Sequence, residues 1–192
     1  MKILIAGGCK NGKSTYAEKI AASLAKRGTA PLYYIATMLP VDDEDEARIF
    51  RHQASRDGLG FQTIEQNTDI AKLLTNPYDA NGTFLLDSTT ALLANEMFPL
   101  GSTHSINLDA PRKVMNELLE VMNTVTNIVI VSDYIYSDAA FYDDYTERFR
   151  AGLGLIDCDS ADVCDIVIEV CYGEILIHKG QELWEEICET IV

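Results

Sequence analysis

The chain has 192 residues, 47% of them hydrophobic and 23% charged, which is enough for one domain with a buried core. Its net charge of −15 excludes the basic patch that nonspecific binding to nucleic acid or to an anionic membrane needs. No apolar run approaches the ~18 residues of a membrane span, and Met1 leads straight into the first predicted strand, so a cytoplasmic protein without a targeting segment is expected.

Lys2 to Ala6 is a short apolar run with the length of a buried strand. It is followed by Gly7, Gly8, Cys9, Lys10, Asn11, Gly12, Lys13, Ser14 and Thr15, in which Gly-x4-Gly-Lys-Ser has the spacing of a phosphate-cradling loop. The glycines let backbone N–H groups turn onto phosphate oxygens without a Cβ in the way. Lys13 is expected to reach the terminal phosphates of a nucleotide and the Ser14 hydroxyl to hold Mg²⁺. Beyond the loop, Ala17, Ile20, Ala21, Leu24 and Ala25 form a helical stripe that stops at Gly28, just past Lys26 and Arg27. The amino end of that helix adds partial positive charge to the anion site.

Pro31 to Thr37 reads as a second strand and Asp42 to Asp57 as a helix opened by acidic residues and closed before Gly58. Phe61 to Glu65 reads as a short strand, Thr68 to Leu74 as a short helix, Thr83 to Asp87 as a buried strand and Thr89 to Phe98 as a helix. Pro99 to Asn107 is a polar loop that contains His104. Asp109 is expected to cap a helix running to about Asn123, with Pro111 in its first turn. Asn127 to Ser132 is a strongly apolar strand. Tyr142 to about Cys164 is mostly helical, with Gly152 and Gly154 as weak points. Asp165 to Val170 and Glu174 to His178 form a hairpin around Tyr172-Gly173, and Gln181 to Ile191 a terminal helix.

Strands alternating with helices define an α/β fold, P-loop NTPase-like, with a largely parallel sheet covered on both faces and a C-terminal β-hairpin. Residues 1–180 read as the nucleotide-binding domain and 181–192 as a helical extension. The five cysteines show no Cys-x-x-Cys pair, so reduced thiols and no zinc site are expected.

Ligands of such sheets sit at the carboxyl ends of the strands. Thr37, Asp87 and Asp133 fall there, and either aspartate qualifies as the carboxylate near Mg²⁺ or as a helix cap. Asp87 is put ahead of Asp133 as the metal carboxylate with Ser14, in part on a family resemblance carried by the motifs below. A second constellation is Arg48, His52 and Arg56, whose spacing of four puts them on one helix face. Two guanidiniums beside a histidine oppose protonation of the ring and would hold a phosphate against it. The plainer alternative is an exposed charged face paired with Glu44 or Asp45.

The ordered set of motifs resembles the bifunctional adenosylcobinamide kinase / adenosylcobinamide-phosphate guanylyltransferase family of cobalamin assembly. The residues that carry the resemblance are the loop Gly7 to Ser14, Tyr34-Ile35-Ala36-Thr37, Asp42-Asp43-Glu44, and Arg48-Ile49-x-x-His52-x-x-x-Arg56. Phe61-x-Thr63-x-Glu65, Leu85-Leu86-Asp87-Ser88-Thr89-Thr90, Asn95, Arg148-Phe149-Arg150, Gly154 and the final hairpin also fit. The resemblance implies phosphorylation of a corrinoid hydroxyl by ATP or GTP, then transfer of GMP from GTP through a guanylyl–histidine. By it His52 is the nucleophile, with Lys13 as the other catalytic residue. The guanine nucleotide would be contacted by the phosphate loop, Ala36, Thr37, Met38, Arg48, Gln53, Ala54, Ser55, Arg56, Glu65 and Asp87. It also implies a homo-oligomer, a trimer by family precedent.

The chain departs from that family after its strongest strand, where Thr-Asn-Glu-Val-Gly-x-Gly-Ile-Val-Pro is usual. Here the stretch is Ser132-Asp133-Tyr134-Ile135-Tyr136-Ser137-Asp138-Ala139-Ala140-Phe141, without either glycine or the glutamate. A family Asn-Gln is Asp157-Cys158, and a basic residue is Leu155. The nucleotide half is nearly intact and the acceptor half is altered.

Overall fold

The computed structural model describes residues 1–99, 106–137 and 139–188. Its strands are β1 (Lys2–Gly7), β2 (Leu32–Ala36), β3 (Phe61–Glu65), β4 (Thr83–Asp87), β5 (Asn127–Asp133), β6 (Ile166–Cys171) and β7 (Glu174–Lys179). They form one sheet in the order β3-β2-β4-β5-β1-β6-β7, parallel except for the β6–β7 hairpin. The helices are α1 (Lys13–Lys26), α2 (Asp43–Ser55), α3 (Thr89–Met97), α4 (Ala110–Thr124), α5 (Asp144–Val163) and α6 (Gln181–Cys188). His104, Asp138 and the last turn of the predicted terminal helix lie outside the described residues.

The central strands are apolar throughout because both of their faces are covered. Side chains alternate between the faces. Ile3 and Ile5 pack under α1 with Ala17, Ile20 and Leu24, while Leu4 enters the core beneath α3, α4 and α5 with Leu93, Leu118 and Ile156. From α6, Ile187 is buried in the α1-side core. Tyr172 (φ 52°) and Gly173 (φ 83°) turn the hairpin through two positive-φ residues, the turn that matches the twist of paired strands.

One local expectation is sharpened and two are corrected. The short helix expected over Thr68–Leu74 is a 3-10 helix spanning Ile70–Thr75, entered through Asp69 at φ 49°. Ile70 and Leu73, three apart, are its buried residues, as three residues per turn requires. Asp109 makes no side-chain cap, because it is already in the helical region (φ −88°, ψ −7°) and its carboxylate does not reach back. Gly152 and Gly154 do not interrupt α5, which runs unbroken. A Cβ at Gly152 would fall 2.6 Å from Pro111 Cγ, so the glycine allows α5 to approach the first turn of α4.

Candidate active site

The loop after β1 is held open by its backbone. Gly7 ends β1 between Asp133 of β5 and Val170 of β6. Its lack of a side chain is required, since a Cβ there would fall 2.5 Å from the Val170 carbonyl oxygen. Lys10 (φ 56°) and Gly12 (φ 93°) adopt left-handed conformations, and Gly12 enters α1 without a side-chain cap. The Lys13 N–H donates to Asn11 Oδ1 (3.3 Å), and the N–H groups of Ser14 and Thr15 are left as donors for an anion. Asn11 Nδ2 donates to the Val170 carbonyl and fixes the loop to the hairpin. Lys13 is buried, and its Nζ donates to the Gly8 carbonyl (2.7 Å) and to Asp133 Oδ1 (2.6 Å).

Two cavities meet at this edge of the sheet. One, of about 410 Å³, is lined by Lys10 to Thr15 with Arg51, His52, Ser55, Asp87 and Asp133. The other, of about 730 Å³, lies between α2 and the ends of β2, β3 and β4. Its walls include Tyr34, Ala36, Met38, Gln53, Arg56, Thr63, Glu65 and Asn67. His52 and Asp87 line both, so they mark the join. Gly7, Gly8, Cys9, Thr37 and Ala54 line neither. The Arg48 side chain lies outside the described residues.

The join is set by how α2 is tied down. Asp42 accepts from the Asp45 N–H and opens the helix, whose first turn carries Asp43, Glu44, Asp45 and Glu46 against the macrodipole. None of the described side chains of α2 is buried. Arg56, at its C-cap, turns inward instead, with Cζ 3.4 Å from the centre of the Tyr34 ring. Beside it the buried carboxylate of Glu18 accepts from Ser55 Oγ (3.0 Å to each oxygen) and faces Arg56 Nη1 (3.7 Å) and His52 Nδ1 (4.0 Å). The expected all-cationic setting of His52 is thus a mixed one, because Arg56 serves a carboxylate and an aromatic ring. Glu44 pairs with Lys10 (3.6 Å).

Sequence reasoning missed Glu18 and Tyr34. Glu18 follows Ser14 by four residues and so shares its face of α1, where it interrupts the apolar stripe. A charge in that position is the signal that was available. Thr37 is fully buried and structural: its Oγ1 donates to the Ser88 carbonyl (2.9 Å) and accepts from the Ser88 N–H (2.7 Å). Asn95 Nδ2 donates to the Thr37 and Asn67 carbonyls (2.7 and 2.9 Å), locking the floor of the larger cavity. Tyr34 donates to Asp87 Oδ2 (3.1 Å), and burial, with the nearby Asp87 charge, pushes its phenol well above the usual range.

The Ser14 hydroxyl and the carboxylates of Asp87 and Asp133 all border the phosphate cavity, a hard oxygen set that suits Mg²⁺. The altered stretch after β5 packs against the phosphate loop, with the Tyr134 N–H on the Gly7 carbonyl (3.3 Å). Arg150 clamps it from α5 by donating to the carbonyls of Ile135 (3.2 Å), Ala140 (3.3 Å) and Tyr136 (3.4 Å).

A glycine-rich loop between the first strand of a largely parallel sheet and its helix, opening on a cavity of about 410 Å³, defines a P-loop α/β protein. The fold is shared with the flagellar accessory protein FlaH of Methanocaldococcus jannaschii, at TM-score 0.50 and 13% identity over 92% of this chain and 77% of that one. Residues 3–177 match the family model for cobinamide kinase / cobinamide phosphate guanyltransferase. The chain belongs to that family. It is 32% identical over 101 residues to the bifunctional adenosylcobalamin biosynthesis protein CobU of Escherichia coli K12, a match covering 53% of this chain and 52% of that protein. It thus spans about half the length of that relative. With the Pseudomonas aeruginosa bifunctional adenosylcobalamin biosynthesis protein CobP it is 28% identical over 187 residues, 95% of this chain and 100% of that one. Among the described residues no helix is long and apolar enough to cross a membrane.

Proposed function

We propose that the chain phosphorylates a corrinoid side-chain hydroxyl from ATP or GTP and then transfers GMP from GTP to that phosphate through a guanylyl–histidine at His52. The observation that carries this reading is the position of His52 on the wall shared by the phosphate cavity and the larger cavity. A GTP with its phosphates on the loop and its nucleoside in the larger cavity places the α-phosphate at that join.

Lys13 and the N–H groups of α1 hold the outgoing pyrophosphate. His52 attacks phosphorus, the bond to pyrophosphate breaks with its electron pair on the leaving oxygen, and an N–P bond forms. An oxygen of the acceptor phosphate then attacks the same phosphorus and the imidazole leaves. Gln53, Ser55 and Arg56 keep the nucleotide against the ring, and Glu65 faces the base with its acceptor oxygens. Ser14 and Asp87 would hold Mg²⁺, which when bound neutralises charge on the phosphates. We assign residues 1–180 to the transferase and 181–192 to a helical extension, and place the protein in the cytoplasm as a homo-oligomer.

The test is incubation with GTP labelled at the α-phosphate. Acid-labile label on the wild type and none on His52→Ala is expected, followed by loss of the label to adenosylcobinamide phosphate. Label that persists in the variant overturns the nucleophile assignment. A second reading, a different hydroxylated acceptor, is favoured by the altered residues after β5, where the Tyr134 N–H donates to the Gly7 carbonyl at the start of the phosphate loop. Labelling by GTP without transfer to adenosylcobinamide phosphate decides for it.

A further inference from the structure

We infer that Glu18 is a positioning residue for His52. Its buried carboxylate selects the ring form protonated on Nδ1, leaves Nε2 free to face the phosphate cavity, and balances the charge the ring gains on guanylylation. This rests on the reading of His52 as the nucleophile.

Glu18 is 2% exposed, between Ala17 and Ile20 in the apolar stripe of α1. A carboxylate there is costly unless it is paired. All the partners described for it come from the end of α2: Ser55, Arg56 and His52. Since none of the described side chains of α2 is buried, core packing does not fix the angle at which His52 is presented. The carboxylate does so through its contacts with the end of that helix.

The geometry distinguishes the two ring nitrogens. Nδ1 is the one that faces Glu18, at 4.0 Å, while the ring lines the phosphate cavity. A carboxylate accepts only, so the nitrogen turned to it is favoured as N–H, and the other keeps its lone pair. The cluster is loosely paired. Arg56 Nη1 is buried with no hydrogen-bond partner and stands 3.7 Å from Glu18. A shift of about 1 Å of α2 toward α1 converts both contacts to hydrogen bonds, as such pairs tighten when substrate binds.

In the covalent step the Nε2 lone pair forms the N–P bond and the electron pair of the broken P–O bond leaves with pyrophosphate. The ring then holds Nδ1–H and a positive charge until the acceptor oxygen displaces it and the pair returns to Nε2. Glu18 neither gives nor takes a proton. It lowers the energy of the charged ring, and Arg56, held on Tyr34, stands 3.7 Å from the same carboxylate.

The test compares wild type with Glu18→Gln, which keeps the size of the side chain and a hydrogen-bond acceptor for Ser55. The chain has three histidines, and in ¹⁵N-histidine protein the His52 signals are assigned with His52→Ala. The ring nitrogen shifts, read with GDP bound at a pH where the ring is neutral, then report the tautomer. The Nδ1–H form is expected in wild type, and a shift toward Nε2–H in Glu18→Gln. In single-turnover labelling at saturating GTP, the rate should fall by about 10²-fold. That is less than the ~10⁴ lost where an orienting carboxylate is directly hydrogen-bonded to its histidine. The Kd for GTP should change by less than about twofold, which separates positioning from a structural defect. An unchanged tautomer, or a labelling rate that falls only in step with GTP affinity, overturns the assignment. The tautomer is read without turnover, so wild type that shows the tautomer shift but takes no label overturns the nucleophile reading and not this one.

Discussion

Replacing Asp157 by Asn is expected to remove a pH-dependent weakness from the core. Asp157 is 4% exposed; Oδ2 accepts from Ser132 (2.7 Å) and Tyr136 (2.8 Å), and Oδ1 is buried with no partner. Burial pushes its carboxyl up from 3.8 to about 6, with the Asp133 charge adding to the shift and the two hydrogen bonds opposing it. Between those values the folded chain holds a proton that the unfolded chain has released. Stability therefore falls as pH rises from about 4 to about 6 and is level above that, the reverse of a salt-bridged carboxylate. Two pH units correspond to about 3 kcal/mol. An amide cannot ionise, and its NH₂ lies where Oδ1 already lacked a partner. Other acids titrate in both proteins, so the measured quantity is the difference between variant and wild type in urea unfolding across that range. The difference should move in favour of Asp157→Asn by about 3 kcal/mol from pH 4 to pH 8. A flat difference would refute the assignment of a neutral buried carboxyl.

Two further substitutions test the packing around the site. Gly152→Ala should cost about 1–3 kcal/mol, because its methyl meets Pro111 Cγ at 2.6 Å, and Pro111→Ala in the same chain should restore part of the loss in thermal melts. Arg56→Ala removes the cation between Glu18 and Tyr34 and should cost about 3 kcal/mol or more in urea unfolding. Arg56→Lys keeps the charge without the planar stack and should cost less. Equal losses for the two would place the effect in shape and not in charge.

Much of the fold was legible because its signals are local. Strands apolar on both faces, the helical stripe from Ala17 to Ala25 and the Tyr172-Gly173 turn each carry their structure within a few residues. Where the sequence misled, the deciding contact came from elsewhere in the chain. Gly152 reads as a helix breaker until Pro111 is seen against it, and Asp109 reads as a cap until its own backbone is seen to be helical already. The site divided in the same way. The phosphate loop is contiguous, so its residues could be named from spacing alone. Arg48, His52 and Arg56 could be grouped by helical period, but the period carried no information about Tyr34, which draws Arg56 out of the group, or about Glu18, which arrives from another helix. That carboxylate became visible only when α1 and the end of α2 were placed side by side.

The same limit applied to the choice between Asp87 and Asp133, and the geometry now turns that choice into a measurement. Asp133 Oδ1 holds the Lys13 ammonium at 2.6 Å, where a phosphate would compete for it. Asp87 is held by Tyr34 at one oxygen and borders both cavities. With Asp87 as the Mg²⁺ carboxylate, Asp87→Asn should raise the Mg²⁺ concentration needed for GTP binding by about tenfold or more, with little change in metal-free GDP binding. Asp133→Asn should act in the opposite sense on two readouts. It leaves a buried lysine with only neutral partners, so thermal stability should fall. It also frees that lysine for phosphate, so metal-free GDP should bind up to about tenfold tighter, the equivalent of one charged hydrogen bond released from competition. Stability and affinity moving in opposite directions is the signature of a lysine held in reserve by its neighbour. If the Mg²⁺ requirement follows Asp133 instead, Asp133 is the metal carboxylate, and Asp87 acts through Tyr34 to shape the larger cavity.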